Sequence, residues 1–442
     1  MATTSGVGMQ KATSIATRNV DAGLLRRAWS NDIKHEALLS DPLFSIPTLT
    51  GQIDPGKSKK TVPNKVFQDV TPEGDGKYAR SVALQLTKAL EGEGKEGRDT
   101  DDVMGNEENI RLKFFRAFAN DWGHAVTGQQ FGVDFRELKP TQIYELAKPL
   151  LAQWYGEYNG YSARHAAVYS VSPNLLKAPT ASEIDLGLGA AAGGAAAGAA
   201  PLNPNSYIMG TGAVTLAGTA QTQEEYETSV NDALIAQAVA DSHLSVRNCL
   251  DLVDWAASSY IQPIMWEGFE LYLLYVTPQE FTNMIDPAVT GSFSKYWVDA
   301  AALGSGDLKK VIPGAEFVIG DSIVVCRDRR TALYGVDAAD NTSGQAYFMK
   351  AGRNDERVAG ATAKDTLFYA NLLMGESALV KFEPEKATYR EQKDNYDKYK
   401  NVGYFGACSW MTPRWGLNSA DNASTDIQQE GSAVVFTAKA FS

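Results

Sequence analysis

Apolar and polar positions alternate in two stretches of the N-terminal third. Val82, Leu84 and Leu86 alternate with Ser81, Ala83, Gln85 and Thr87, and Ile110, Leu112 and Phe114 alternate with Arg111 and Lys113. A period of two predicts half-buried strands. Between them, Gly92 to Asn109 (GEGKEGRDTDDVMGNEEN) is glycine-rich and charged and offers nothing to a core. The pair reads as a long two-stranded projection with a polar tip. An isolated two-stranded ribbon is marginal in water, so the projection is predicted to rest on another subunit.

The strongest helical period follows. Pro140 suits a first helical turn, and Ile143, Leu146, Leu150, Trp154 and Tyr158 recur at intervals of three and four. The spacing predicts a helix over 139–170, kinked or restarted at Pro149. It also predicts that Ile143, Leu146, Leu150 and Trp154 form the buried stripe, with Glu145, Lys148 and Glu157 facing outward.

A second helical pattern covers 228–258 through Val230, Leu234, Ala238, Leu244, Leu252 and Trp255. Apolar strands are predicted at Leu271–Val276, Phe317–Ile319, Ile323–Cys326 and Ala433–Thr437. Residues 1–45 are polar and weakly periodic and read as an arm that crosses a neighbour's surface, or else a frayed terminus, with one short helix near Asp21–Trp29 on Leu24, Leu25 and Trp29. The Ala/Gly run at 187–200 has almost no side chains to pack and reads as a surface loop. Helices and strands mix without a βαβ period, so the fold class is α+β.

Composition narrows the functions. The 442 residues carry 41 Lys+Arg and 53 Asp+Glu, a net charge of −12. Gripping a nucleic acid over a broad surface needs clustered cations, so a chain that lives near DNA is predicted to contain or exclude the polymer rather than hold it. Three scattered cysteines (Cys249, Cys326, Cys408) and four histidines (His35, His124, His165, His243) argue against a disulfide scaffold and a cysteine- or histidine-built metal site. The first twenty residues lack an apolar signal-peptide core. The longest uncharged apolar stretch, Leu186 to Leu202, is mostly Ala and Gly and too weakly hydrophobic to span a bilayer.

Several motifs fit on paper and fail on chemistry. Gly51 to Ser58 (GQIDPGKS) satisfies the phosphate-cradling P-loop pattern. That pattern needs a helix starting at the lysine, yet Pro55 and Pro63 interrupt, and KSKKTVPNKVF alternates like extended chain. Gly92-Glu-Gly94-Lys-Glu-Gly97 matches a dinucleotide fingerprint, but Glu91, Glu93 and Glu96 would repel a pyrophosphate. Asp99 to Glu108 lacks the glycine and oxygen ligand an EF-hand loop requires, because Val103 and Met104 stand there. His35-Glu36 opens a zincin pattern that Leu39 ends. No catalytic, cofactor-binding or metal residue is therefore predicted, and no enzyme.

The order of parts is more specific than any motif: arm, long β projection with a polar tip, long helix, mixed α+β body. Three stretches strengthen a family likeness: GNEENIRLKFFRAFANDWGHAV (Gly105–Val126), ALGSGDLKKVIPGAEFVIGDSIVVCRDRRTALYGVD (Ala302–Asp337) and LLMGESALVKFEPEKATYREQKDNYDKYKNVGYFGACSW (Leu372–Trp410). Over roughly 100–410 the chain resembles the major capsid proteins of tailed bacteriophages with the Hong Kong 97-type fold. The resemblance implies an N-terminal arm at 1–50 and an extended β loop at 51–125. It implies a peripheral domain with a spine helix at 126–175 and an axial domain at 176–384 that holds the 187–200 loop. A return to the peripheral domain with the C-terminal strands would occupy 385–442.

It further implies self-assembly into pentamers and hexamers of an icosahedral or prolate head. The head would enclose double-stranded DNA without sequence-specific binding, with scaffolding, portal and decoration proteins as partners. It implies assembly in the host bacterial cytoplasm, residence in the virion and no membrane contact. Alternatives are a nanocompartment shell of the same fold and an NTPase using Gly51–Ser58. The last is directly testable: Lys57→Ala is expected to leave nucleotide affinity, read by equilibrium dialysis, unchanged, and ATP hydrolysis abolished by it would contradict this reading.

Overall fold

The computed structural model describes residues 29–34, 36, 43, 50–53, 66–70, 81–87, 112–127, 140–175, 202–215, 223–236, 243–259, 261–266, 269–285, 315–319, 322–337, 340–348, 366–394, 399–413, 429 and 431–438. A short helix, α1 (29–34), opens them. Strands β1 (Thr50–Ile53), β2 (Phe67–Val70), β3 (Ser81–Thr87), β4 (Leu112–Phe118) and β5 (Asp121–Thr127) lead to the long helix α2 (Pro140–Tyr169). There follow β6 (Asn205–Ile208), β7 (Gly212–Thr215), α3 (Gln223–Ala236), α4 (Val246–Ser258), β8 (Ile264–Trp266), β9 (Phe269–Val276) and α5 (Pro278–Ile285). The remaining strands are β10 (Ala315–Ile319), β11 (Ile323–Arg327), β12 (Ala332–Asp337), β13 (Asp340–Tyr347), β14 (Thr366–Met374), β15 (Leu379–Asp394), β16 (Tyr399–Met411) and β17 (Ser432–Ala438). The predicted tip Gly92–Asn109, the Ala/Gly loop 187–200 and the predicted helical residues 21–28 lie outside the described residues.

Two main sheets organise the molecule. The smaller has the order β1-β2-β15-β16-β5, and the larger runs β10-β11-β9-β14-β17-β6-β7 with β12, β13 and β8 attached. The larger sheet is covered on both faces. On one face Leu273, Tyr275, Phe368 and Phe436 pack with Ala163, Ala166 and Ala167 of α2 and with Tyr226, Val230 and Leu234 of α3. On the other, Leu274, Val325 and Val435 meet Cys249, Leu252 and Ala256 of α4 and Phe281 and Met284 of α5. This explains why its strands read as continuous apolar runs rather than alternations.

β17, SAVVFTA, is buried along its whole length. It lies between β14, antiparallel, and β6, parallel. From sequence it was grouped with the return to the peripheral domain. A strand apolar on both faces suits the covered centre of the larger sheet, and that is where it pairs.

The helix predicted over 228–258 is two. Ser245 caps α4, its hydroxyl accepting from the Asn248 backbone N–H at 3.2 Å, and such a cap starts a helix rather than continuing one. Ala238 lies outside the described residues.

α2 runs unbroken through Pro149. Thirty residues at 1.5 Å each span about 45 Å, long enough to serve both sheets. Its first half packs Ala147, Leu151, Ala152 and Tyr155 against Ala387, Tyr389, Val402 and Tyr404 of the smaller sheet. Its second half packs the larger sheet. The expected stripe is therefore corrected: Leu146 is 55% exposed and Leu150 43%. Trp154 is half-buried, and the side chain of Ile143 is not among those described. Ala147, Leu151 and Tyr155 recur at the same spacing of four, one position along, and the sheet's aromatic surface selects them. Trp122 decides the matter by stacking on Tyr155 at 4.7 Å and meeting Tyr404 edge-on at 5.6 Å.

Two buried ionic groups join the parts. Arg164, in α2, donates through Nε and a terminal nitrogen to Asp328 at 2.6 and 3.0 Å, and to the Gly160 carbonyl at 3.0 Å. Asp328 follows β11, so this pair ties α2 to the larger sheet. Lys34 of α1 and Lys381 of β15 both reach the Glu383 carboxylate at 2.9 Å, and that side chain is 1% exposed. Burial alone would raise the Glu383 carboxyl, but the two ammonium groups outweigh it and hold the pKa at about 2, below the usual 4.5.

A carboxyl depressed in this way stabilises the fold fully above its unfolded value. That contribution disappears as the pH falls from about 4.5 toward 2. Acid titration followed by Trp29 fluorescence is expected to show α1 releasing in that window. Glu383→Gln strands the buried Lys381 ammonium. It is expected to cost about 3–5 kcal/mol in chemical denaturation and to abolish the acid-linked step.

Candidate assembly surface

The side chains that tempt a catalytic reading are structural. Burial raises the Cys249 and Cys326 thiols well above their usual range and pushes Cys408 up to about 12, the opposite of what a nucleophilic cysteine needs. His243 Nδ1 stands 3.6 Å from the fully buried Glu280 carboxylate, which raises its pKa while burial opposes. Glu280 also accepts from the Leu244 backbone N–H at 2.9 Å, so the pair pins the entry of α4 to α5. Among the described residues no three His, Cys, Asp or Glu side chains gather as a metal site would need.

The P-loop lookalike divides. Gly51, Gln52 and Ile53 are strand β1, paired in parallel with Gln68, Asp69 and Val70. Residues 54–58 lie outside the described residues, as do the Gly92–Gly97 and Asp99–Glu108 segments and His35. Glu36 instead faces Lys148 of α2 at 3.3 Å.

What the fold does present is edges, ridges and a ribbon. Among the described residues β3 and β4 pair only with each other, in the register Leu84 opposite Phe115 and Val82 opposite Ala117. The sequence predicts the second ribbon strand from Ile110, Leu112 and Phe114, whose side chains are not among those described; at the base of the ribbon Leu84, Phe115, Ala117 and Phe118 are buried. There the inward side chains meet Val70, Val380, Phe382 and Met411 of the smaller sheet. Its base is thus anchored in its own subunit, while its far end leaves the described residues.

Among the described residues the smaller sheet ends in β5 and β1, and on β5 Asp121, Gly123, His124 and Ala125 are exposed. An open edge of this kind pairs readily with another chain. Beside it the Phe405 ring is exposed and lies flat over Gly123 and Gly403. A Cβ at either glycine would enter the ring, so these two positions are held to glycine by close approach.

Sequence reasoning missed Arg164 and Glu383. Asp328 stands 164 residues from Arg164 and Lys34 stands 349 from Glu383, beyond any local pattern, and only Lys381 is a near neighbour of Glu383 in the chain. Arg164 left one trace, an arginine in a run of small apolar residues, Ala163, Ala166, Ala167 and Val168, which are all buried.

No family model matches the chain, and no curated protein matches it in sequence. Solved structures do match in shape. The capsid of Ralstonia phage GP4 superposes with a TM-score of 0.50 at 17% identity, over 86% of this chain and 89% of that one. The acid-stable capsid of Helicobacter pylori bacteriophage KHP30 gives 0.50 at 9% identity, over 89% and 90%. The head of Helicobacter pylori bacteriophage KHP40 gives 0.50 at 10%, over 90% and 91%. The chain has the fold of these tailed-phage capsid structures, the Hong Kong 97-type fold.

The corrected helix orientation has a direct test. Leu150→Asp, on the exposed ridge, is expected to cost under about 1 kcal/mol. Leu151→Asp, in the buried stripe, is expected to cost several kcal/mol by placing a carboxylate among apolar side chains. Urea unfolding of the two variants reads the difference.

Proposed function

We propose that this chain is the major capsid protein of a tailed bacteriophage. In this reading it assembles into pentamers and hexamers of an icosahedral or prolate head around double-stranded DNA. The observation that carries it is the fold shared with phage heads over nearly the whole length of both chains. The two-stranded ribbon supports it, because a marginal element is worth retaining only where a neighbour covers its far end. The net charge of −12 supports it as well, since an acidic wall does not bind the polymer it encloses.

The partners in this proposal are other copies of the chain, with scaffolding, portal and decoration proteins. Assembly would occur in the host cytoplasm and end in the virion, and no catalytic step is assigned. The domain boundaries follow the same proposal: arm 1–50, extended loop 51–125, peripheral domain 126–175, axial domain 176–384, and 385–442 as the return together with the C-terminal strands, of which β17 pairs in the larger sheet. The nanocompartment alternative draws no support from the capsid structures that share the fold.

Negative-stain microscopy of the purified protein is the first test, with closed shells or capsomer-sized rings expected. Nuclease-protected double-stranded DNA inside native particles separates a phage head from an enzyme compartment. Deleting Gly94–Val103, the ribbon tip, is expected to leave the subunit folded by circular dichroism but to reduce closed shells at least tenfold. Normal particle yield from the deletion would contradict the ribbon's proposed role.

A further inference from the structure

The chain passes from the ribbon to the smaller sheet within two residues. Phe118, the last of β4, stands opposite Ser81 in the ribbon, and Asp121, the first of β5, stands opposite Ala407 in the sheet. Only Ala119 and Asn120 lie between them. At the ribbon base Leu84, Phe115 and Phe118 pack with Val380, Phe382 and Met411. Apolar packing is non-directional, so by itself it sets no angle. The angle matters because length amplifies it: turning the corner by about 10° carries the far end of a seven-residue strand, ~23 Å away, through ~4 Å.

Directional bonds do converge on this corner, and Asn174 is their centre. It is buried, and its Nδ2 donates to the carbonyls of Cys408 at 2.6 Å and of Asn120 at 3.2 Å. Its Oδ1 accepts from the Ser172 hydroxyl at 2.6 Å. Asn120 reciprocates: its Nδ2 donates to the Asn174 carbonyl at 2.8 Å, and its Oδ1 accepts from the Asp121 backbone N–H at 2.9 Å. The Asn120 backbone N–H donates to the Ser409 hydroxyl at 3.2 Å. The orientation of the Asn174 amide is forced, because carbonyls only accept and its nitrogen must face them. The segment that carries Asn174 is itself held. The Ser172 backbone N–H donates to the Trp410 carbonyl at 2.8 Å, and the Ser172 hydroxyl accepts from the Trp410 N–H at 3.1 Å. Pro173 between them has its φ locked by its ring. This segment starts where α2 ends, so the corner is braced from the long helix and from β16 together.

We infer that Asn174, acting through Asn120, is the positioning residue that fixes the angle at which the ribbon leaves the subunit. The free chain carries its ribbon already aimed, and a neighbour meets a preset direction rather than imposing one. Removing the Asn174 side chain withdraws the donor from two buried carbonyls and returns the two-residue corner to its own soft dihedrals. That the aimed ribbon is presented to another subunit rests on the shell reading, whereas the angle belongs to the free subunit whatever it builds.

The test measures that angle in the full-length, unassembled subunit, so its result does not depend on whether shells form. The native cysteines are buried, which leaves introduced ones as the sites for nitroxide labels. One label goes on Thr87→Cys at the end of β3, opposite Leu112, and one on Gln392→Cys, an exposed position of β15. Double electron–electron resonance is expected to give a single narrow distance peak. Asn174→Ala is expected to widen it about twofold, as the freed corner samples its backbone dihedrals. Asn120→Ala, at a half-buried position, is expected to widen it likewise and serves if Asn174→Ala fails to fold. Asn203→Ala is the control. That amide is equally buried and bonded, to the Ala167 carbonyl at 2.9 Å and the Asn205 N–H at 3.0 Å, but it lies in the larger sheet, and the peak is expected to keep its width. A broad or multiple distribution in the parent would overturn the inference. So would a peak that stays narrow in the corner variants, or equal widening in Asn203→Ala, which would mean general loosening.

Discussion

The architecture depends on one helix packing two sheets at once. A rod about 45 Å long buries Leu151 and Tyr155 against one sheet and Ala163, Ala166 and Ala167 against the other. In its second half the alanines Ala163, Ala166 and Ala167 pack into the cluster of the larger sheet, flanked by Tyr161 and Tyr169. In its first half Tyr155 stacks on Trp122 over the smaller sheet. The Arg164–Asp328 pair sets the register between rod and larger sheet, because a forked guanidinium accepts a carboxylate in few orientations. Hydrophobic packing alone would tolerate a slide, whereas a desolvated ion pair does not.

The second buried carboxylate performs the same service for the N-terminal segment. Glu383 collects one lysine from its own strand and one from α1, so α1 is held by charge as well as by Ile33. The Tyr389 backbone N–H donates to the Ser30 hydroxyl at 2.8 Å, and the Tyr404 hydroxyl donates to the Ser30 carbonyl at 3.2 Å. The polypeptide preceding β1 is thus built into the subunit at this point rather than lying wholly on a neighbour.

Much of this was legible in the chain because its signals are local. Pro140 and the apolar period marked α2 almost to the residue, and the runs at Leu271–Val276, Ile323–Cys326 and Ala433–Thr437 all became strands. The orientation of α2 was not legible. Leu146 and Leu150 compete with Ala147, Leu151 and Tyr155 at the same spacing, and only the Trp122–Tyr404 surface, assembled from distant strands, chooses between them. Ion pairs across 164 and 349 residues lie beyond any window. The assembly surface was legible only as an order of parts, since edges and ridges carry no motif.

The place of β17 bears on how the chain comes to be made. β6 joins the rest of the larger sheet through β17, with Ser206 opposite Val434 and Ile208 opposite Phe436. More than two hundred residues separate these partners in the chain. At ribosomal speeds of ~5–20 residues per second, β6 waits roughly 10 to 45 s for its neighbour. The nascent polypeptide therefore leaves the ribosome with its largest sheet open along a central seam. Closing that seam waits on β17, and until that strand is made β6 and β7 have no partner in the rest of the larger sheet among the described strands.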